Sequence, residues 1–409
     1  MKPPRVAFLS PAYPHEQRGF TRGLATVGAT VIGVGDGPLG GVDEATRRFL
    51  SGWIQCPNLF DEAAAADFLV PRLAAAGVDR LITNWEPLIL LAATLRERLG
   101  LPGMSRDVAL GFRDKQVMKE RLAAAGLRVP YSHRVRTATE ARAAAEQVGF
   151  PLILKPIAGA GSADTFRCDD AASFEAALAA SRHVAEASVE EFVDGEEFTY
   201  DTVCAGGVVQ FDSVAQYFPR PLTFRTDEWI SPAQIVYANP HTQPDLQQGI
   251  ALGKDVLRVL GMDEGFTHME WYRKADGEVV FGEVACRNGG GHFVDMHNWA
   301  NDIDLFVEWA RAVCWGDVHC RPSRTYHVGM VFKRAQGRGR IQKIVGRQSL
   351  HDLCGPWLLA DELLPIGHPR RDWKQTLLSD GFVAMRHPDL GKLHVMMDQA
   401  IERLAIYAG

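Results

Sequence analysis

The sequence predicts a protein of α/β and α+β class: an N-terminal parallel sheet, a central mixed region and a small C-terminal α/β module. Three observations carry this. Short apolar runs at residues 5–9, 30–34 and 80–83 alternate with polar or alanine-rich helical stretches, the mark of βαβ units and a parallel sheet. Helix and strand signals then alternate from Asp114 to Val193. Last, GFTHMEWYRKADGEVVFGEVACRNGGG at 265–291 reads as two strands joined by a tight turn.

In a parallel sheet, ligands sit beyond the carboxyl ends of the strands. The loops there hold Ser10-Pro11-Ala12-Tyr13, Gly35-Asp36-Gly37 and Asn84-Trp85-Glu86-Pro87. Gly33-x-Gly35-x-Gly37 lacks the dinucleotide spacing and a helix directly behind it, so it reads as turn glycine. Glu86 is a candidate substrate contact; the plainer reading is a surface or helix-start carboxylate.

Asp114-Lys115 opens a helix with Met118, Leu122 and Ala125 as its apolar stripe, closed by Gly126. Thr137-x-x-Glu140 is a capping box for a helix that stops at Gly149. Phe150–Lys155 is a buried strand, residues 170–183 a helix, and Ser188–Val193 a strand. Lys155, at a strand end beside the Gly159/Gly161 turn and Ser162, has the makings of a phosphate grip, with backbone N–H groups free to face an anion. The P-loop order is absent, and a strand-end lysine that snorkels to solvent is the plainer reading.

Residues 198–238 supply strands and a loop with Tyr217, Phe218, Arg220, Phe224, Arg225, Trp229 and Tyr237, a composition typical of binding loops. A helix with Leu246, Ile250, Leu257 and Leu260 ends at Gly261. In the hairpin, Asp276-Gly277 predicts a two-residue type I′ turn. Ala275 then pairs with Glu278, Glu270 with Glu283, His268 with Ala285 and Phe266 with Arg287. Strand alternation puts His268, Glu270, Glu283 and Arg287 on one face, and Thr267, Met269, Trp271, Val284 and Cys286 on an apolar one. Opposed Cβ atoms lie about 4.5–5.5 Å apart, so two facing carboxylates repel unless they splay into water or hold a divalent cation such as Mg²⁺.

Bulk properties narrow the function. A net charge of -6 in 409 residues argues against nucleic-acid or membrane partners, and no apolar run is long enough to span a bilayer. The seven cysteines are scattered without C-x-x-C spacing, which fits reduced thiols in a cytoplasmic protein and no zinc site. The first residues do not read as a signal peptide. The basic residues Lys333, Arg334, Arg338, Arg340, Lys343 and Arg347 alternate with turn glycines and are expected on a solvated face.

Lys115, Lys155 with its glycine loop, VEEFVDGEE and the paired carboxylates followed by Arg287 stand in an order and spacing that resembles the ATP-grasp superfamily over about residues 106–320. The resemblance implies an ATP-grasp fold with an N-terminal (pre-ATP-grasp) domain at 1–105, an ATP-grasp domain at 106–319 whose lid spans about 128–196, and a C-terminal module at 320–409. It implies that Lys115 and Lys155 contact nucleotide phosphates and that the main chain of Glu191, Phe192 and Val193 reads the adenine edge. Glu190 would lie nearby, Glu197 towards the adenosine, and Glu270 and Glu283 on Mg²⁺ (or Mn²⁺). His268-x-Glu270 after Gly265, and Arg287-x-x-Gly290 with Gly291, resemble the L-amino-acid ligase branch, which includes dipeptide synthetases. One departure is Ala285, where many relatives carry an asparagine metal ligand.

That branch implies a carboxylate–amine ligase acting on an amino acid or similar small carboxylate through an acyl phosphate. Arg287 would steady the carboxylate and the developing oxyanion, and His268 would orient the amine or accept its proton. Glu86, Gly290 and Gly291 would complete the substrate site. Carboxylation through carboxyphosphate, carboxylate–thiol ligation and a non-catalytic nucleotide-binding subunit are the alternatives. A homodimer is compatible with the sequence.

Overall fold

Strands β1 (Arg5–Leu9), β2 (Thr30–Gly35), β3 (Gly52–Gln55) and β4 (Arg80–Ile82) form a parallel sheet in the order β3-β2-β1-β4. The coordinates are a computed structural model that describes residues 2–157, 164–376 and 378–409. The parallel sheet follows the sequence prediction, except that β3 was not expected. Gly33 and Gly35 are not turn residues. They lie within β2, where a Cβ on either would come within 2.7 and 2.5 Å of the Trp53 indole, so glycine here makes a seat for Trp53.

A second sheet, antiparallel in the order β5-β8-β6-β7, comprises β5 (Ser132–Val135), β6 (Leu152–Pro156), β7 (Phe166–Cys168) and β8 (Ala187–Glu191). Helices Ala138–Val148 and Ala171–Ala180 cover one face, burying Ala141, Ala145 and Phe174 against Leu152, Leu154 and Val189. The Thr137/Glu140 capping box is formed as predicted. Gly159, Gly161 and Ser162 lie outside the described residues.

The remaining strands are β9 (Glu196–Ala205), β10 (Val208–Phe218), β11 (Ala233–Val236), β12 (Gly265–Arg273), β13 (Val279–Ala285), β14 (His327–Phe332), β15 (Gln336–Gly337), β16 (Ile341–Val345), β17 (Leu358–Asp361), β18 (Phe382–His387) and β19 (Ala405–Ala408). Eight of them make an antiparallel sheet, the central one, in the order β13-β12-β9-β10-β11-β14-β18-β17, and β15-β19-β16 make a small fourth sheet. Residues 320–409 therefore extend the central sheet as well as building a module of their own. Helix Gln247–Leu260 packs Ile250, Val256, Leu257 and Leu260 against Met269, Trp271 and Phe281 of the hairpin.

The hairpin reaches its predicted register by a different route. Lys274 and Glu278 close a three-residue turn, Lys274 N donating to Glu278 O at 2.9 Å, with Gly277 at φ 87°. Arg273 thus pairs with Val279 and Trp271 with Phe281, one residue off the two-residue expectation. A bulge between Trp271 and Glu270 absorbs the difference, and from there Glu270 faces Glu283 and His268 faces Ala285 as predicted. The bulge needs a small residue: a Cβ on Gly282 would lie 2.8 Å from the Glu270 carbonyl oxygen. The ladder ends at Ala285, short of the expected Phe266–Arg287 pair.

Lys333 and Arg334 correct another expectation. Both are buried, Lys333 Nζ donating to the Ala400 and Ile401 carbonyls at 2.9 Å each. Arg334 Nη1 donates to the carbonyls of Phe224 (2.9 Å) and Asp227 (2.8 Å). Backbone acceptors make a buried cation tolerable. Arg338, Arg340, Lys343 and Arg347 are exposed as expected.

The parallel sheet is locked to the central one by helix Gln17–Thr26 packing on helix Leu305–Trp315. A Cβ on Gly23 would lie 2.2 Å from the Phe306 carbonyl oxygen, so the two helices approach at backbone distance. This contact sets the β4 loop, with Glu86, over the end of the hairpin.

Candidate active site

Between the β5-β8-β6-β7 sheet and the central sheet lies a cleft. The β9–β12 register makes its floor: Asp201 pairs with His268, Thr199 with Glu270 and Glu197 with Tyr272. Alternation puts all six on the cleft face, while Phe198 and Tyr200 turn to the core, Phe198 stacking on Trp271 at 4.6 Å. Lys155, Glu190, Phe192 and Val193 line it from the second sheet and its exit, Glu197, His268, Glu270, Glu283, Ala285 and Arg287 from the central sheet and the end of the hairpin, and Lys115 from its helix.

Buried charge in this cleft is paired. Lys115 opens the helix Lys115–Ala124, capped by Asp114, and its Nζ lies 2.5 Å from Glu283 Oε1. Glu190 sits between two ammonium groups, Lys155 Nζ at 2.5 Å and Lys119 Nζ on its other oxygen. Burial alone would raise the Glu190 carboxyl; the two lysines outweigh it and hold it down at about 2. Burial, with Lys155 close by, lowers Lys119 to about 8 even beside Glu190. For Lys155 burial also disfavours the charge, but Glu190, Glu283 and Glu270 raise it above the ordinary lysine value. Glu283 shows the reverse balance: Lys115 and Lys155 overcome burial and depress its pKa.

Glu197 is buried beside Glu270, and burial followed by that repulsion pushes it up to about 8. Its partner is Arg220 Nε at 3.3 Å. Arg220 also donates to the Val193 carbonyl at 2.9 Å and lies over the Phe192 and Tyr272 rings, which ties the segment after β8 to the floor. The Glu191 carboxylate turns outward to Arg128, at 2.7 Å.

His268 Nδ1 lies 2.6 Å from Asp201 Oδ1, and Thr199 Oγ1 donates to Asp201 Oδ2 at 2.6 Å. Asp201 is fully buried. Burial would lower the imidazole, but Asp201, then Glu270, raise it to about 9, so the ring keeps both protons at neutral pH. A ring in that state can donate hydrogen bonds and cannot accept a further proton.

Arg287 Nε lies 3.0 Å from Glu86 Oε2, and Arg113 Nη1 3.5 Å from Glu86 Oε1. Glu86 is thus a buried partner of two arginines, neither a surface carboxylate nor part of either cavity wall. A second cavity adjoins the first and shares His268, Glu270 and Arg287 with it. Its other walls include Gly290, Gly291, Tyr217, Phe224, Phe293 and Phe332.

Among the described residues no three His, Cys, Asp or Glu side chains cluster as a metal site. What exists is the facing pair Glu270 and Glu283, with Ala285 supplying no third ligand. A pair of carboxylates fits a Mg²⁺ whose remaining ligands come from phosphates and water.

The sequence did not single out Lys119, Arg113 or Asp201, and it took Arg220 only as part of a loop. Lys119 follows Lys115 by one helical turn, a signal that was present. Asp201 needed the β9–β12 pairing to be seen.

The chain has an ATP-grasp fold. Residues 148–295 match the family described as ATP-grasp domain. The chain is similar to an L-arginine-specific L-amino acid ligase of Bacillus subtilis, 29% identical over 256 residues, 61% of this chain and 61% of that protein. The chain thus spans less than two thirds of that relative's length. Its fold is that of an L-amino acid ligase from Bacillus licheniformis (TM-score 0.78, 20% identity, 99% of each chain). It is also that of the biotin carboxylase domain dimer of Hydrogenobacter thermophilus 2-oxoglutarate carboxylase, solved with MgADP (TM-score 0.67, 14% identity, 99% of this chain and 92% of that one). No helix among the described residues is long and apolar enough to cross a membrane.

Proposed function

We propose that this chain is an ADP-forming carboxylate–amine ligase that joins an amino acid, or a similar small carboxylate, to an amine through an acyl phosphate. The observation that carries the reading is the sharing of His268, Glu270 and Arg287 between a lysine-lined cleft and a second, largely apolar cavity. A nucleotide in the first would present its terminal phosphate to a carboxylate in the second.

Phosphoryl transfer asks for position and charge neutralisation more than covalent chemistry from the protein. Lys115 and Lys155 would hold phosphate oxygens, releasing Glu283 and Glu190 from their present pairs. The main chain at Glu191–Val193 would meet the adenine, and Glu197 the ribose side. Glu270 and Glu283 would hold Mg²⁺, which when bound neutralises charge on the phosphates. Arg287, fixed by Glu86, would face the reacting carboxylate and the oxyanion of the tetrahedral state, and His268 would donate to it or orient the amine. On this reading residues 1–105 carry the Glu86 loop, 106–319 the cleft with its lid at about 128–196, and 320–409 an outer wall of the second cavity through Phe332.

The test is a panel of amino-acid pairs incubated with ATP and Mg²⁺, with nucleotide analysis and mass spectrometry of products. ADP, phosphate and a dipeptide are expected. AMP with pyrophosphate would overturn the reaction class, and ADP release dependent on a thiol in place of an amine would move the protein to thiol ligation.

A further inference from the structure

The arginines around the two cavities differ in one respect. Arg113 and Arg287 are paired with Glu86, and Arg220 with Glu197. Arg225 also lines the second cavity, on the short helix Pro221–Thr226. Among the described residues it has no ion-pair or hydrogen-bond partner, and the one influence on its pKa is burial, which lowers it. A guanidinium half withdrawn from water without a counter-charge is unfavourable in the empty protein.

Its surroundings add positive charge. Arg334 braces the segment by donating to the Phe224 and Asp227 carbonyls, and after burial Arg225 is the next cause of its pKa falling to about 10. The nearby acids are committed elsewhere: Glu228 to Arg370 at 2.7 Å, and Asp227 to the Trp229 N–H at 2.9 Å. Arg225 and Arg287 line the same cavity as the rings of Tyr217, Phe224 and Phe293. A ligand filling it has two guanidinium groups, Arg225 and Arg287, and these apolar walls to meet.

We propose that the second cavity takes a carboxylate donor bearing a second anionic group, whose remote carboxylate pairs with Arg225 while the reacting carboxylate lies at Arg287. This names the substrate class of the site and rests on the ligase reading above. A carboxylate–guanidinium pair is charge-assisted and geometrically selective, and a neutral amide of the same shape leaves the guanidinium without its counter-charge.

The experiment compares aspartate with asparagine and glutamate with glutamine, by calorimetric binding in the presence of a non-hydrolysable ATP analogue and by ADP release with ATP and an amine panel. For at least one pair the acid is expected to bind and turn over about tenfold or more better than its amide. Arg225→Gln should bring that ratio to about one, and Arg225→Lys should retain most of it. Equal binding of acid and amide by the wild type, or a ratio that survives in Arg225→Gln, would overturn the proposal; the wild-type ratio decides alone if the variant does not fold. Arg225-dependent acid binding without ADP release under any pairing would retain the cavity assignment and remove the ligase reading. ADP release confined to neutral donors would do the opposite.

Discussion

Arg287 Nε and Glu86 Oε2, 3.0 Å apart, join residues 201 positions distant in the chain. The contact ties the end of the central hairpin to a loop of the parallel sheet. Arg287 Nη1 also donates to the Asn288 carbonyl at 2.7 Å, so the guanidinium plane is fixed before any substrate arrives. Preorganised donors of this kind are worth most where charge develops in the transition state.

Arg287→Lys keeps a point charge and loses the planar donor set. Turnover is expected to fall roughly 100-fold, with ATP affinity changed by much less. Glu86→Gln, which loosens the same guanidinium, should lower turnover by a smaller factor. Equal losses in kcat and in ATP binding for Arg287→Lys would remove it from the chemistry.

Glu283→Gln takes away one of two facing carboxylates. Turnover should be abolished, and stability in chelator should fall, because the buried Lys115 ammonium loses its Glu283 partner. Mg²⁺ with ATP stabilises whatever state binds it, so wild type should gain in melting temperature on adding both, and Glu283→Gln should gain clearly less. Equal gains would put the metal elsewhere.

Lys155→Ala should weaken ATP binding strongly, measured directly by calorimetry, and Lys343→Ala, on the exposed face, should not. Lys333→Ala belongs to a different class. It empties a buried site whose ammonium satisfies two backbone carbonyls, and about 1–3 kcal/mol of stability should go with it, read from urea unfolding.

Glu190 makes acid sensitivity specific. Its folded pKa is held at about 2 against an ordinary 4.5, so the unfolded chain binds more protons between those values. The stabilisation is complete above pH 4.5 and is lost as pH falls towards 2, by roughly 3 kcal/mol. Glu190→Gln should be less stable at neutral pH, because Lys119 and Lys155 lose their shared partner, and its stability should fall less across pH 5 to 2.5. Parallel pH profiles for the two proteins would contradict the Lys155–Glu190–Lys119 arrangement.

The sequence by itself determined what is local and periodic. βαβ alternation specified the parallel sheet, the Thr137/Glu140 box and Gly149 bounded a helix, and strand alternation placed His268, Glu270 and Glu283 on one face. The glutamate pairing was legible even though the turn was one residue longer than predicted, since Gly282 permits a bulge that restores the count. The tertiary structure alone decided which charges meet. Asp201 became a partner of His268 only through the β9–β12 register, and Lys119 a partner of Glu190 only through the packing of its helix against the second sheet. Lys333, which the sequence put in solvent, found carbonyl acceptors 67 or more positions away. Hydrogen bonds and ion pairs act over a few ångströms in space, and pairings between distant elements leave no period in the chain for a sequence to display.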